Sequence, residues 1–155
     1  MIIDGHNLIP RIGDLTLSDP DDELRLIRIL QEYSRVRRKT VEVYFDGAPV
    51  GEVGERRFGQ VKAHFVRSGR TADDAIMERL KHMGKRARNV TVVSSDRQVQ
   101  QAARAAHARV LPSEDFAADW RNLMDAEPEL DPRNRLLSES EVEAWEQLFR
   151  RGHPR

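Results

Sequence analysis

Three short apolar runs in this chain lead into an aspartate: MIID at 1–4, VEVYFD at 41–46 and VTVVSSD at 90–96. Runs so short and so rich in β-branched and aromatic residues read as strands. The segments between them have a different period. Leu24, Ile27, Leu30 and Tyr33 recur at spacing three, with Leu26 and Ile29 widening the stripe, so 21–37 is predicted to be helical. Ser18 or Asp19 with Pro20 would supply its cap and first turn. Thr71 opens a second helix that ends near Gly84, with Asp74 three residues on as in a capping box. Residues 97–106 read as a third helix, ARVL at 108–111 as a strand, and Ser113 as the cap of a helix from 114 to about 124.

Two stretches carry other signals. Residues 47–60 hold Gly47, Pro49, Gly51, Gly54 and Gly59 and read as a mobile loop. VKAHFV at 61–66 alternates apolar and polar residues, as a half-exposed edge strand does. Strands alternating with helices imply an α/β fold: a mostly parallel five-stranded sheet, right-handed crossovers, and helices on both faces. Ligands of such sheets bind beyond the carboxyl ends of the strands.

That edge is where the three aspartates fall. Asp4 opens D-G-H-N, in which Gly5 would allow a tight turn and Asn7 could hold a carboxylate or a water. Asp46 opens D-G-A-P, and Asp96 follows Ser94 and Ser95. Each aspartate could equally be a turn residue bonding its own backbone. Asp73 and Asp74 lie in the first turn of the 71–84 helix, where acids also complement the helix dipole. Helical phase puts Asp73 on the stripe of Ile76, Met77, Leu80 and Met83, facing the sheet, and turns Asp74 towards Glu78 and Lys81. Five carboxylates at one edge repel one another unless a cation holds them. Oxygen donors without clustered His or Cys suit Mg²⁺ or Mn²⁺, one ion or two, and such ions serve phosphodiester cleavage.

Composition narrows the classes. The 155 residues fit one ordinary domain. Lys+Arg and Asp+Glu are both 26, so attraction to a polyanion must be local. The absence of cysteine excludes disulfides, thiolate metal sites and cysteine nucleophiles. A first strand beginning at Met1 leaves no room for a signal peptide, and no apolar run approaches membrane-spanning length, so a cytoplasmic protein without membrane contact is expected. There is no P-loop, G-x-G-x-x-G or G-x-S-x-G. Arg67, Arg70 and Arg97 flank the acids, Arg56 and Arg57 lie in the glycine-rich stretch, and all five are candidate phosphate contacts. Arg35, Arg37, Arg38, Lys39, Lys85, Arg86 and Arg88 sit near helix C-termini, where the dipole alone favours them. Of five scattered histidines, His6 lies by the acids and could shuttle a proton, stack on a base or pack in the turn. Trp120 and Trp145 read as core or docking residues.

D-G-H-N-L-I at 4–9, Y-F-D-G at 44–47, T-A-D-D-A-I at 71–76 and V-V-S-S-D at 92–96, in that order and spacing, resemble the YacP-like branch of the NYN domains, within the PIN-like nuclease superfamily. The resemblance covers residues 1–124. Residues 125–137, with Pro128 and Pro132, read as a linker. Residues 138–155 read as a helical extension capped at Ser138 or Ser140, with Val142, Trp145, Leu148 and Phe149 as its apolar face, and are also similar to that branch. The resemblance implies a PIN-like three-layer α/β/α sandwich and a metal-dependent endoribonuclease. In one bacterial branch it implies action on mRNA at the ribosome. By matching position, Asp4, Asp73 and Asp96 would be the main site acids, with Asp46, Asp74 and Asn7 in support. Two other readings share these residues: a non-catalytic RNA- or ribosome-binding module, and a metal phosphohydrolase of small phosphate esters.

Overall fold

In the computed structural model, residues 1–13, 15 and 21–126 are described. The proposed cap at 18–20, the linker beyond Ala126 and the C-terminal helix lie outside them. The chain forms β1 (Ile2–Asp4), α1 (Gly5–Leu8), a 3-10 turn at Ile9–Arg11, α2 (Asp21–Arg37), β2 (Val41–Ala48), β3 (Gly54–Phe58), β4 (Val61–Arg67), α3 (Ala72–Met83), a 3-10 segment at Gly84–Asn89, β5 (Thr91–Val93), α4 (Arg97–Ala105), β6 (Arg109–Leu111) and α5 (Ser113–Ala126). The sheet order is β3-β4-β2-β1-β5-β6, parallel throughout except for the β3–β4 hairpin.

The sheet has six strands, not five. The extra one is β3, formed by GERRF inside the stretch predicted to be a mobile loop. Its signal was hidden because an edge strand needs no apolar alternation: of its five residues only Phe58 is buried. A two-residue loop, Gly59 and Gln60, joins it to β4, and Gly59 takes φ +61, the positive value such hairpin loops require. β4 is consequently an interior strand and not the edge predicted from its alternation. Lys62 and His64 are part-covered because β3 lies beside them.

Period-two alternation divides the sheet's two faces. Ile3, Val43, Phe45 and Val93 pack under α2 and α5, against Leu26, Ile27, Leu30, Phe116 and Trp120. Ile2, Tyr44 and Val92 pack under α3 and α4, against Ile76, Leu80, Val99 and Ala103. The result is three layers, with two apolar cores each sealed by a helix pair. The α2 boundaries match the sequence expectation; its first turn carries Asp21, Asp22 and Glu23, and its last turn Arg35 and Arg37. It closes through Arg38 at φ +55, with the Lys39 N–H donating to Ser34 O at 3.1 Å. Thr71 caps α3 as expected, its hydroxyl accepting from Asp74 N at 3.0 Å. Ser113 does not cap α5. The helix begins at Ser113 itself, and its hydroxyl donates to Asn7.

Among the described residues no helix is long and apolar enough to cross a membrane. The chain runs from β1 to one side of the sheet and later returns to the other, so β1, between β2 and β5, is the switch point. Beyond its carboxyl end lies the crevice of such a sheet.

Candidate active site

Asp4 ends β1. Two residues after Ile2, it points to the same face, towards α3, and only 6% of it is exposed. The first turn of α3 brings Asp73 half-buried beside it and leaves Asp74 exposed, the division that helical phase predicted. Asp46 belongs to β2 itself, at a bulge between Phe45 and Ala48. Asp96 stands at the N-cap of α4. The three strand ends and the α3 terminus therefore share one edge of the sheet.

The carboxylates sense one another. Burial first, then the charge of Asp73, raise the Asp4 carboxyl from 3.8 to about 6, while the Asn7 backbone N–H and the Ser94 hydroxyl pull the other way. Asp73 is raised by its own burial and then by Asp96, Asp46 and Asp74; its hydrogen bonding with Asp4 opposes the rise. Asp4 and Asp73 thus form the tight pair, with the other three acids around it. Ser94 Oγ donates to Asp4 Oδ2 at 3.3 Å and accepts from Asp96 N at 3.0 Å, linking the Asp4 carboxylate to the backbone of the β5–α4 turn.

The donor chemistry suits a hard divalent cation, because oxygen ligands whose charges raise each other's pKa are relieved by one. The geometry is less closed than the donor set. Asp96 Oδ1 accepts from Gln98 N and Val99 N at 2.8 and 3.3 Å. Asp46 Oδ1 is 2.8 Å from His6 Nδ1, and its Oδ2 lies 3.4 Å from Ala72 N. Among the described residues no three His, Asp or Glu side chains are grouped to hold an ion. The turn role that each aspartate could have had alone is real for Asp96, which caps a helix while standing in the acidic cluster.

The neighbours of these acids hold positions that sequence reasoning only partly reached. Gly5 is not a turn glycine. A Cβ there would lie 2.4 Å from Phe45 Cε1 and 2.9 Å from Tyr44 O, so glycine is needed for close approach of α1 to β2. Asn7 turns its side-chain oxygen away from the carboxylates. It accepts from Ser95 N at 2.9 Å and from Ser113 Oγ at 2.7 Å, tying α1 to the β5–α4 loop and to α5. His6 is held between two acids, with Nε2 2.7 Å from Glu23 Oε2. Burial lowers its pKa, but Glu23 and Asp46 outweigh that and raise it to about 8. Its ring packs on Phe45 at 5.5 Å. Glu23 had no sequence signal: on α2 it reads as an ordinary first-turn acid, and only the fold sets it against His6. Ser113 and Glu114, which accepts from Ser95 Oγ at 2.7 Å, were missed for the same reason.

The flanking arginines divide. Arg67 at the end of β4 and Arg97 at the start of α4 are exposed beside the acids. Arg70 is ion-paired with Glu78 on α3.

A family profile described as the YacP-like NYN domain matches residues 1–150. No curated protein matches significantly. Among solved structures, the crystal structure of Rae1 (YacP) from Bacillus subtilis superposes with a TM-score of 0.64 at 20% identity, covering 97% of this chain and 94% of that one. A tryptophan-to-leucine mutant of the same protein gives 0.62 at 21% identity, covering 91% and 88%. These similarities bear on the fold, and the profile match covers both cores, the four motifs and the acidic edge. The chain belongs to the YacP-like NYN domain family, a branch of the PIN-like nucleases.

Proposed function

We propose that the protein is an endoribonuclease that hydrolyses RNA phosphodiesters with Mg²⁺ or Mn²⁺. The observation that carries this is the Asp4–Asp73 pair at the switch point, Asp4 buried and Asp73 half-buried, both carboxyls raised first by burial and then by neighbouring acids. Asp4, Asp73 and Asp96 would hold the ion, Asp96 through the oxygen that does not cap α4. The ion would stabilise charge on the phosphodiester oxygens and acidify an attacking water. The chain's own residues do the rest. Ser94 fixes the rotamer of Asp4, and His6, protonated at neutral pH, fixes Asp46. Asp74, exposed on the outer side of α3, is available to orient water. Arg67 and Arg97 are free to contact phosphate on either side of the acids. RNA, in the cytoplasm and on the ribosome, is the proposed substrate.

A second reading, a non-catalytic RNA- or ribosome-binding module, draws on the capping role of Asp96 and on the open ligand geometry among the described residues. Labelled RNA and a generic phosphate ester, each incubated with and without Mn²⁺, separate the two and also test small-ester hydrolysis. The expected outcome is Mn²⁺-dependent cutting of RNA alone, abolished in Asp4→Asn and in Asp96→Asn while far-UV circular dichroism is unchanged. Mn²⁺ should also raise the melting temperature of the parent protein more than that of Asp4→Asn. Full activity in both variants would refute the site. Intact RNA with every metal would favour the binding module.

A further inference from the structure

The chain is neutral overall, yet its charge is unevenly placed. From Leu80 to Pro112 there is one acid, Asp96, against seven Lys and Arg residues. Six of these, Lys81, Lys85, Arg86, Arg88, Arg104 and Arg109, are exposed and lie at the C-terminal end of α3, along the 3-10 segment after it, or at and beyond the end of α4. Several arginines elsewhere are ion-paired: Arg11 with Glu114, Arg37 with Asp119, Arg79 with Glu42. None of these six has an ion pair with a described residue. Helix dipoles favour cations at two of these termini, but they give no reason for the 3-10 segment to carry three, nor for the absence of any compensating acid.

Between the two helices, inside this basic rim, lies a cleft of about 420 Å³. Its floor is apolar, from Met77, Leu80, Ala102 and Ala105, and Lys81, Lys85, Arg88 and His107 stand around it. His107 is held at φ +64 and is exposed. Both α3 and α4 begin at the acidic edge. The α3 residues that line it run from Met77 to Lys81, so the cleft lies about 6–12 Å from Asp73 along the helix axis.

We propose that this cleft is a second RNA-binding surface, which takes a base of a single-stranded segment in its apolar floor and the flanking phosphates on its basic rim. A surface of cations alone would suit any polyanion. An apolar slot of ligand size within the cations suits a strand whose bases can turn out of the stack. RNA anchored here would run along the helix pair towards the carboxylates, so the cut would fall a few nucleotides from the anchored base. The choice of RNA rests on the proposed nuclease reading; the binding test does not, because it is made without cleavage.

The test is fluorescence anisotropy of a labelled single-stranded RNA in EDTA across a KCl series. Full-length protein is compared with a cleft variant, Lys81→Glu/Lys85→Glu/Arg88→Glu, and with a control of equal charge change, Arg38→Glu/Lys39→Glu/Arg121→Glu. The cleft variant should bind about tenfold more weakly at low salt, with a log–log salt slope shallower by about 2, as for three lost phosphate contacts. The control should keep the parent slope. Ala105→Glu, which puts one carboxylate in the cleft at an exposed helical position, should weaken binding in the same direction. Parent-like binding by the cleft variant, or an equal loss in the control, would overturn the proposal. So would poly-L-glutamate competing as well as RNA of equal charge, since the surface would then read charge alone. Loss of RNA cleavage by the parent protein with anchoring intact would sink the nuclease reading and leave this one standing.

Discussion

At the residue scale, small steric and electrostatic facts fix the site. Gly5 sits where α1 leaves β1, and the neighbouring strand fills the space a methyl group would need. Phe45 could swing aside, but Tyr44 O is backbone and cannot. Gly5→Ala is therefore expected to cost about 1–3 kcal/mol, the range for forced overpacking. Because Asp4 and Asn7 flank it, cleavage should fall by more than the loss of folded protein explains. Denaturant unfolding alongside a rate per folded molecule checks both. A parent-like midpoint would show that the 2.9 Å contact relaxes at no cost.

At the scale of elements, a polar clamp joins α3 to the sheet outside the acidic edge. Arg79 on α3 reaches Glu42 on β2, its Nε at 3.0 Å and its second nitrogen at 3.2 Å. His64 Nε2 on β4 lies 3.3 Å from the same carboxylate, and its ring stacks on Tyr44 at 4.3 Å. Burial works against the Glu42 charge, but the contacts with His64 and Arg79 outweigh it and hold the pKa down at about 2. Its contribution to stability is present above the ordinary value of 4.5 and is lost as pH falls through 2. Arg79→Met keeps the apolar stem and leaves Glu42 short of donors. It should destabilise by about 1–3 kcal/mol at pH 7. The deficit should shrink towards pH 3, where an unpaired Glu42 takes up a proton. A deficit independent of pH would mean that the loss is packing alone.

At the scale of the whole molecule, two of the shifted groups tilt stability the same way. Asp4 binds its proton more tightly in the fold than in the unfolded chain, so its contribution, complete below 3.8, is lost as pH rises through about 6. A shift of that size corresponds to about 3 kcal/mol, and the group is nearly buried. His6 is likewise raised, from 6.5 to about 8, so its contribution holds below 6.5 and disappears above 8. With His6 30% exposed, solvent screening leaves at most about 2 kcal/mol there. In EDTA the melting temperature should fall steadily from pH 4 to pH 8.5. Asp4→Asn should flatten the lower part of that curve and His6→Gln the upper part. A maximum near pH 7 in EDTA would contradict both shifts.

The sequence by itself determined the layered α/β plan, because period is a local property. Ile2 and Ile3, or Val43 and Tyr44, must face opposite ways in any strand, and the α2 stripe must face a core. It also placed Asp4, Asp73 and Asp96 at one edge of the sheet, since parallel strands with right-handed crossovers bring their carboxyl ends to the same side. Tertiary structure decided whatever depended on a partner distant in the chain. GERRF became a strand because β4 offered it an open edge. Gly5 is required by Phe45, 40 residues away. The Asn7 side-chain oxygen bonds to Ser95 and Ser113, leaving only its backbone N–H for Asp4, and Glu23 meets His6. The basic residues at 81–88 look like helix-end charges until α4 supplies the other wall of the cleft. Periodicity reports which way a side chain points; what it finds there is fixed only when the elements pack.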